Sequence, residues 1–216
     1  VMNIYLFIGA LFVLNFGLGN ITVIDTNNDN LTSIKIVPEE NPIDFIIDSQ
    51  TGNLVILETR GIEIFSENGN KLKEHNFQEF SKREKIINNE HSSIVFISDK
   101  FKKSIIRYDL NSETETLIQL PDEPLDIALN KNGNELYTLF SNSVKIISPA
   151  SGEIIKDNIS NLKINADRIF ISPKEGNLYF TNSDLGILSE VDTNSGLVSE
   201  QIQSGSNPRG IAILDL

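Results

Sequence analysis

The 216-residue chain contains no cysteine. That single absence removes disulfide staples, thiolate metal sites and cysteine nucleophiles together. Histidine is scarce, with two in all, His75 and His91, so a Ser-His-Asp arrangement would need one of these braced by a carboxylate and facing a serine. Neither sits in a motif of that kind, and both read as surface residues. Cations are also in short supply: 18 Lys and Arg stand against 30 Asp and Glu, for a net charge of −12. Nucleic acid is thereby excluded as a general partner, since phosphate binding needs clustered cations. No stretch sustains a 3.6-residue apolar period, so helices should be minor. What remains, with 13 Gly, 7 Pro and 22% charged residues, is an ordinary globular composition and one domain's worth of chain.

A repeat is present, and it dominates the reading. The alternating runs ITVIDT (Ile21 to Thr26), IEIFSE (Ile62 to Glu67), IIRYDL (Ile105 to Leu110), VKIISP (Val144 to Pro149) and LSEVDT (Leu188 to Thr193) end on Asp25, Ser66, Asp109, Ser148 and Asp192, at separations of 41, 43, 39 and 44 residues. A second marker keeps the same phase: a small-residue turn before a short apolar strand, at Gly52-Asn53, Ser92-Ser93, Gly133-Asn134 and Gly176-Asn177, with Gly9 extending the series. A third opens another strand after Pro42, Arg83, Pro124, Asp167 and Pro208. Each unit therefore reads as four short strands separated by turn chemistry, the first ones continuously apolar and the fourth polar. Four strands in about 42 residues match one blade of a β-propeller, an all-β ring in which radial repetition protects the sheet edges. The expectation is a single propeller domain over residues 1–216, with repeats near 11–52, 53–93, 94–134, 135–177 and 178–216. It forms either a five-bladed ring or part of a larger propeller.

At this point the residues resemble a family. LYFTNSDLGILSEVDTNSGLVSEQIQSGSNPRGIAIL (Leu178 to Leu214) and LFVLNFGLGNITVIDT (Leu11 to Thr26) resemble the YVTN repeat, which runs from a Tyr-Val-Thr-Asn-like strand through a Val-Ile-Asp strand to a Gly-x-x-Pro turn. The second unit departs from it, with SKREK in place of the proline turn. The resemblance implies the propeller fold, an extracellular or cell-surface location, and kinship with propeller enzymes such as lactonases and streptogramin lyases. Fold does not carry chemistry with it. If the ring closes, the strand Ile211 to Leu214 is expected beside Phe12 to Asn15, completing a blade from both chain ends.

The charge-free run from Ile4 to Leu18 has no preceding cation and is in phase with the repeat. It therefore reads as propeller strands, with a signal or membrane anchor within residues 2–18 as the other reading. Asp25-Thr26-Asn27-Asn28-Asp29 has the oxygen spacing of a calcium loop, yet the parallel Asp192-Thr193-Asn194 points to a turn. The sequons at Asn20, Asn30 and Asn158 matter only if the chain is exported.

Two groups of side chains are candidate sites. Nine of the 18 cations fall between Lys71 and Arg107, a segment of net +4 in an otherwise acidic chain. Lys82, Arg83, Lys100, Lys102 and Lys103 are expected as a cationic rim that steers an anionic partner. Glu40, Asn41, Glu123, Asp167, Asn207 and Arg209 recur near the mouths of first strands, where a lactonase-like enzyme would hold a metal. No residue is assigned a catalytic role, and no cofactor or metal is called for. The functional expectation is a non-enzymatic module that binds a protein or glycan surface, with a lactonase- or lyase-like enzyme using a metal or histidine at the channel mouth as the alternative.

Overall fold

The computed structural model describes residues 4–7, 10–15, 18–25, 33–36, 38, 40–77, 81–160, 165–172 and 177–208. Among them there is no α-helix, and twenty strands form five four-stranded sheets whose hydrogen-bonded neighbours follow chain order. The first sheet is β1 (Ile4–Phe7), β2 (Ala10–Asn15), β3 (Asn20–Asp25) and β4 (Ser33–Ile36). The second is β5 (Pro42–Ile47), β6 (Leu54–Glu58), β7 (Gly61–Phe65) and β8 (Lys71–Asn76). The third is β9 (Arg83–Asn88), β10 (Ile94–Asp99), β11 (Ser104–Asp109) and β12 (Thr114–Gln119). The fourth is β13 (Asp126–Leu129), β14 (Leu136–Leu139), β15 (Ser143–Ile147) and β16 (Ile154–Ser160). The fifth is β17 (Arg168–Ile171), β18 (Leu178–Asn182), β19 (Ile187–Val191) and β20 (Val198–Gln203).

In the second, third and fifth sheets the fourth strand is the exposed one and the second strand is deeply buried. All five residues of β6 and of β7 are buried, whereas all six of β20 are exposed. A strand covered on both faces reads as an unbroken apolar run, and an outermost strand does not. Turn glycines sit where the repeat places them: Gly52 and Gly133 take positive φ, 73° and 69°, in the hairpins before β6 and β14. Gly61 is required for another reason, because a Cβ there would lie 2.0 Å from the carbonyl oxygen of His75 on the paired strand.

One expectation is corrected. The strand beside β2 is β1, in the antiparallel register Ile4↔Val13 to Phe7↔Ala10, and β3 occupies the other edge. The short run IYLF is itself a first strand, so β2 has no edge left for Ile211 to Leu214. Those residues, with Arg209, Asn27 to Asp29 and the sequon at Asn30, lie outside the described residues. Asn20 is buried and its amide donates to the carbonyl of Leu18, which makes this sequon inaccessible in the folded chain. No helix among the described residues is long and apolar enough to cross a membrane.

Two compact units are distinguished, Val1–Lys102 with Tyr108–Glu115, and Lys103–Arg107 with Thr116–Leu216. In the first, Phe12, Leu14, Ile21, Phe45, Leu54 and Ile56 share a core, and β5 packs against β9. The second has its own core, including Tyr137, Val144, Ile146, Ile169, Leu178 and Phe180. Two of the packed pairs of first strands, β5 with β9 and β13 with β17, are each joined by a buried carboxylate. Asp44 Oδ2 accepts the amide of Ile86 at 3.1 Å, and Asp126 Oδ2 accepts that of Ile169 at 3.0 Å. Asn88 returns a bond from its side-chain amide to the carbonyl of Ile47 at 3.1 Å. The pairs 44 to 86 and 47 to 88 advance together, so β5 and β9 run in the same direction.

A buried amide stripped of its acceptor costs about 1–3 kcal/mol. Asp126→Ala is therefore expected to lower stability by about that amount in denaturant titration, while Asp122→Ala, at an exposed ion pair with Lys103, should leave the midpoint unchanged.

Candidate functional site

Two places in the first unit gather chemistry-bearing side chains. One is a cleft of about 110 Å³ at one end of the second sheet, lined by Glu40, Glu58, Arg60, Ile62, Glu63, Glu74 and Asn76. Antiparallel pairing builds it. Glu58 ends β6, Glu63 lies on β7, and Glu74 is the register partner of Glu63 on β8. Glu40 enters from the segment before β5, its amide donating to Glu58 Oε1 at 3.2 Å. Lys71 Nζ bridges Glu63 Oε1 at 2.6 Å and Glu74 Oε2 at 2.5 Å, and Arg60 Nε meets Glu40 Oε1 at 3.2 Å.

Four carboxyls thus face two cations. The excess negative charge falls on Glu58, which is buried. Burial first, then the proximity of Glu63 and Glu40, push its carboxyl up to about 7, opposed by the Glu40 amide. At neutral pH it retains its proton about half the time, hydrogen-bonded with Glu63. Of the expected channel-mouth residues, this cleft contains Glu40 alone. Asn41 is exposed at the entrance to β5, and in the second unit Glu123 is exposed beside Asp122 while Asn207 is exposed with φ of 58°. Asp167 accepts the amide of Ser183 at 2.5 Å and its own amide donates to Thr181, so it braces a turn. Among the described residues no three His, Asp or Glu side chains are arranged to hold a metal.

The other place is the loop from Asp99 to Lys102, between β10 and β11. Phe101 stands out of it, 66% exposed. Its base is rigid. Asp99 is fully buried, accepts the amide of Lys102 at 3.0 Å and the hydroxyl of Ser81, and the Lys100 amide donates to the Lys82 carbonyl at 2.9 Å. The backbones of Lys82 and Lys100 are thereby held side by side. Lys82 is ion-paired with Glu84 at 3.0 Å, and Lys103, in the second unit, with Asp122 at 3.1 Å.

Arg83 does not belong to the rim. Its side chain is 1% exposed. Nη1 donates to the Thr59 carbonyl at 3.0 Å, the guanidinium lies 4.6 Å from the centre of the Phe77 ring, and Nε is 3.9 Å from Asp99 Oδ2. Arg83 opens a first strand, and first strands are buried; a guanidinium survives there because aromatic face, carbonyl and carboxylate replace its water. Burial lowers its pKa, while Asp99 and Glu115 raise it. Its role is to support the loop through Asp99.

The histidines lie apart from both places. His75, on β8, is packed 4.6 Å from Tyr108 and 5.2 Å from Phe77 by ring centres, with Nε2 3.5 Å from Glu115. His91 is exposed in the β9–β10 turn.

No family model matches the chain, and no curated protein matches it. Among solved structures it is similar to a streptogramin B lyase structure, with a TM-score of 0.73 at 15% identity over 92% of this chain and 66% of that one. The fold is a β-propeller. The chain accordingly spans 66% of the length of that lyase, and at this identity the likeness extends to the fold alone.

The raised pKa of Glu58 makes a signed prediction. The folded carboxyl titrates at about 7 against an ordinary 4.5, so the native state holds the extra proton between those values and its stability declines as pH rises through them. Glu58→Gln, which cannot ionise, should be more stable than the parent chain by about 1–3 kcal/mol at pH 8 and indistinguishable from it near pH 4.5, in denaturation curves taken at both.

Proposed function

We propose that this chain is a non-enzymatic propeller module of the YVTN type, exported or displayed at the cell surface, which binds an anionic protein or glycan surface through the rim at the β10–β11 loop. The observation that supports it is the loop itself, where an exposed aromatic and the cations Lys100, Lys102 and Lys82 are held on a buried Asp99. A loop backbone held in advance loses little freedom on binding, and an exposed aromatic is what recognition surfaces concentrate. In a chain of net charge −12, a local cationic rim also orients the approach of an anionic partner.

A second reading has an observation of its own. A carboxylic acid with a pKa near 7, beside a cleft, suits general acid chemistry, and the similar solved structure is a lyase. On this reading the chain would be a lactonase- or lyase-like enzyme with Glu58 as the proton donor. A metal or a histidine at the channel mouth is the other form of this reading.

Retention on immobilised heparin tests the first reading. The parent chain should be retained, and Lys100→Glu with Lys102→Glu should weaken binding about tenfold and elute at lower salt. Identical elution of both would dismiss the rim. Turnover of lactones or cyclic esters that disappears in Glu58→Gln would establish the enzyme instead.

A further inference from the structure

The loop between the second and third strands carries an exposed apolar tip in three of the five sheets. Phe101 is 66% exposed, Leu18 between β2 and β3 is 78% exposed, and Leu185 between β18 and β19 is 60% exposed. Their positions are 83 and 84 residues apart, two repeat lengths each time. Local construction recurs as well. A left-handed residue comes directly after Leu18 and Leu185, at Gly19 (φ 59°) and Gly186 (φ 68°), and two places after Phe101, at Lys103 (φ 49°), so Lys102 holds the position of the two leucines and Phe101 the one before it. The turn is closed by a side-chain oxygen in two of them, Asp99 Oδ1 to the Lys102 amide at 3.0 Å and Asn182 Oδ1 to the Leu185 amide at 2.8 Å. In the other two sheets this connection is short and bears no exposed apolar residue: Thr59-Arg60 is polar, and Phe140 is buried.

An isolated exposed leucine needs no explanation, but a large apolar residue at the same loop of alternate repeats does. Equivalent loops of a repeat protein supply its binding face. Leu18 and Phe101 belong to the same compact unit, and the Phe101 tip is the one flanked by Lys100 and Lys102.

We infer that this loop docks on an anionic lipid surface, with Phe101 entering the interface and the flanking lysines meeting the headgroups. The inference takes its cations from the binding-module reading and adds a partner that reading does not name. A protein pocket that accepts Phe101 would explain one tip, whereas a lipid interface accepts any apolar tip without a complementary cavity and so accounts for Leu18 too. Charge selects the lipid: cations beside an apolar insert favour acidic headgroups, and neither a lone insert nor a few cations anchors a protein by itself. The fixed base of the loop keeps Phe101 outward before contact, so its apolar surface is already exposed to be covered.

The test uses vesicles of phosphatidylcholine alone and with 30% phosphatidylserine. The parent chain should sediment with the mixed vesicles and not with phosphatidylcholine. Phe101→Ser should bind the mixed vesicles about tenfold less tightly, while Leu117→Ser, which removes an exposed apolar residue outside these loops, should bind them as the parent chain does. Because the chain has no tryptophan, Phe101→Trp supplies a sole indole whose emission should shift to the blue on adding mixed vesicles, and its thermal melt reports folding separately. No vesicle binding by the parent chain, no loss in Phe101→Ser, or no spectral shift in Phe101→Trp would each overturn the lipid surface and leave the glycan reading standing. Vesicle binding with no heparin retention would overturn the glycan reading alone.

Discussion

The buried carboxylate that joins one first strand to the next is the contact on which the rest of the architecture depends. A first strand is the edge of its own sheet, so half of its backbone groups face away from any ladder. Placed in a packed interior, those groups must find partners or cost the fold dearly. Asp44 and Asp126 supply them, each reaching out of its strand to the amide of Ile86 or Ile169. The exchange is mutual at the first pair, where Asn88 serves the Ile47 carbonyl. A buried anion is tolerated because a backbone N–H and the surrounding polar groups solvate it, and because the alternative is an orphaned amide in the same place.

From that contact the geometry of the binding loop follows. Fixing Ile86 fixes β9, whose first residue is Arg83, and Arg83 has nowhere to go but inward. Its guanidinium settles on Phe77 and the Thr59 carbonyl, and approaches Asp99 at the end of β10. Asp99 Oδ1 accepts from both the Ser81 hydroxyl and the Lys102 amide, while Oδ2 faces the Arg83 guanidinium at 3.9 Å as an ion pair. The tip that presents Phe101 is therefore held from beneath by a buried carboxylate and a buried guanidinium.

Much of this was legible in the sequence, and the parts that were not share a cause. The 42-residue period, the hairpin glycines and the polar fourth strands are local signals, and each sheet appears where they lie. Arg83 was misread because a cation in SKREK looks like surface charge; its burial is decided by strand order, which the third marker in fact indicated by placing Arg83 at the head of a first strand. Asp44 and Asp126 also carried a signal, a charged residue within the apolar runs IDFII and LDIAL, two places after Pro42 and Pro124. The short strand β1 lacks the proline that opens the second and fourth first strands, and its charge-free run continues through Gly9 into the next strand, so the two read as one. Glu58, Glu63 and Glu74 come together from three strands, and no spacing in the chain advertises that meeting.

The acidic cleft shows how such a meeting is made tolerable without any ligand. Four carboxyls converge where Lys71 and Arg60 are the cations at hand, and Arg60 lies mostly in solvent, where its field is weak. Lys71 already serves Glu63 and Glu74 at once. Glu58, the most enclosed of the remaining pair, cannot ionise without adding uncompensated charge next to Glu63, so a proton does what a third cation would have done. Its raised pKa is thus a consequence of packing three acidic strand positions at one sheet end, sufficient in itself to explain the carboxyl. Chemistry at this position would require a substrate to enter about 110 Å³ and receive that proton, and a space so small admits a protruding group of a larger molecule rather than a whole one. The loop at Phe101 would face no such limit, since an exposed tip meets a partner by projecting into it.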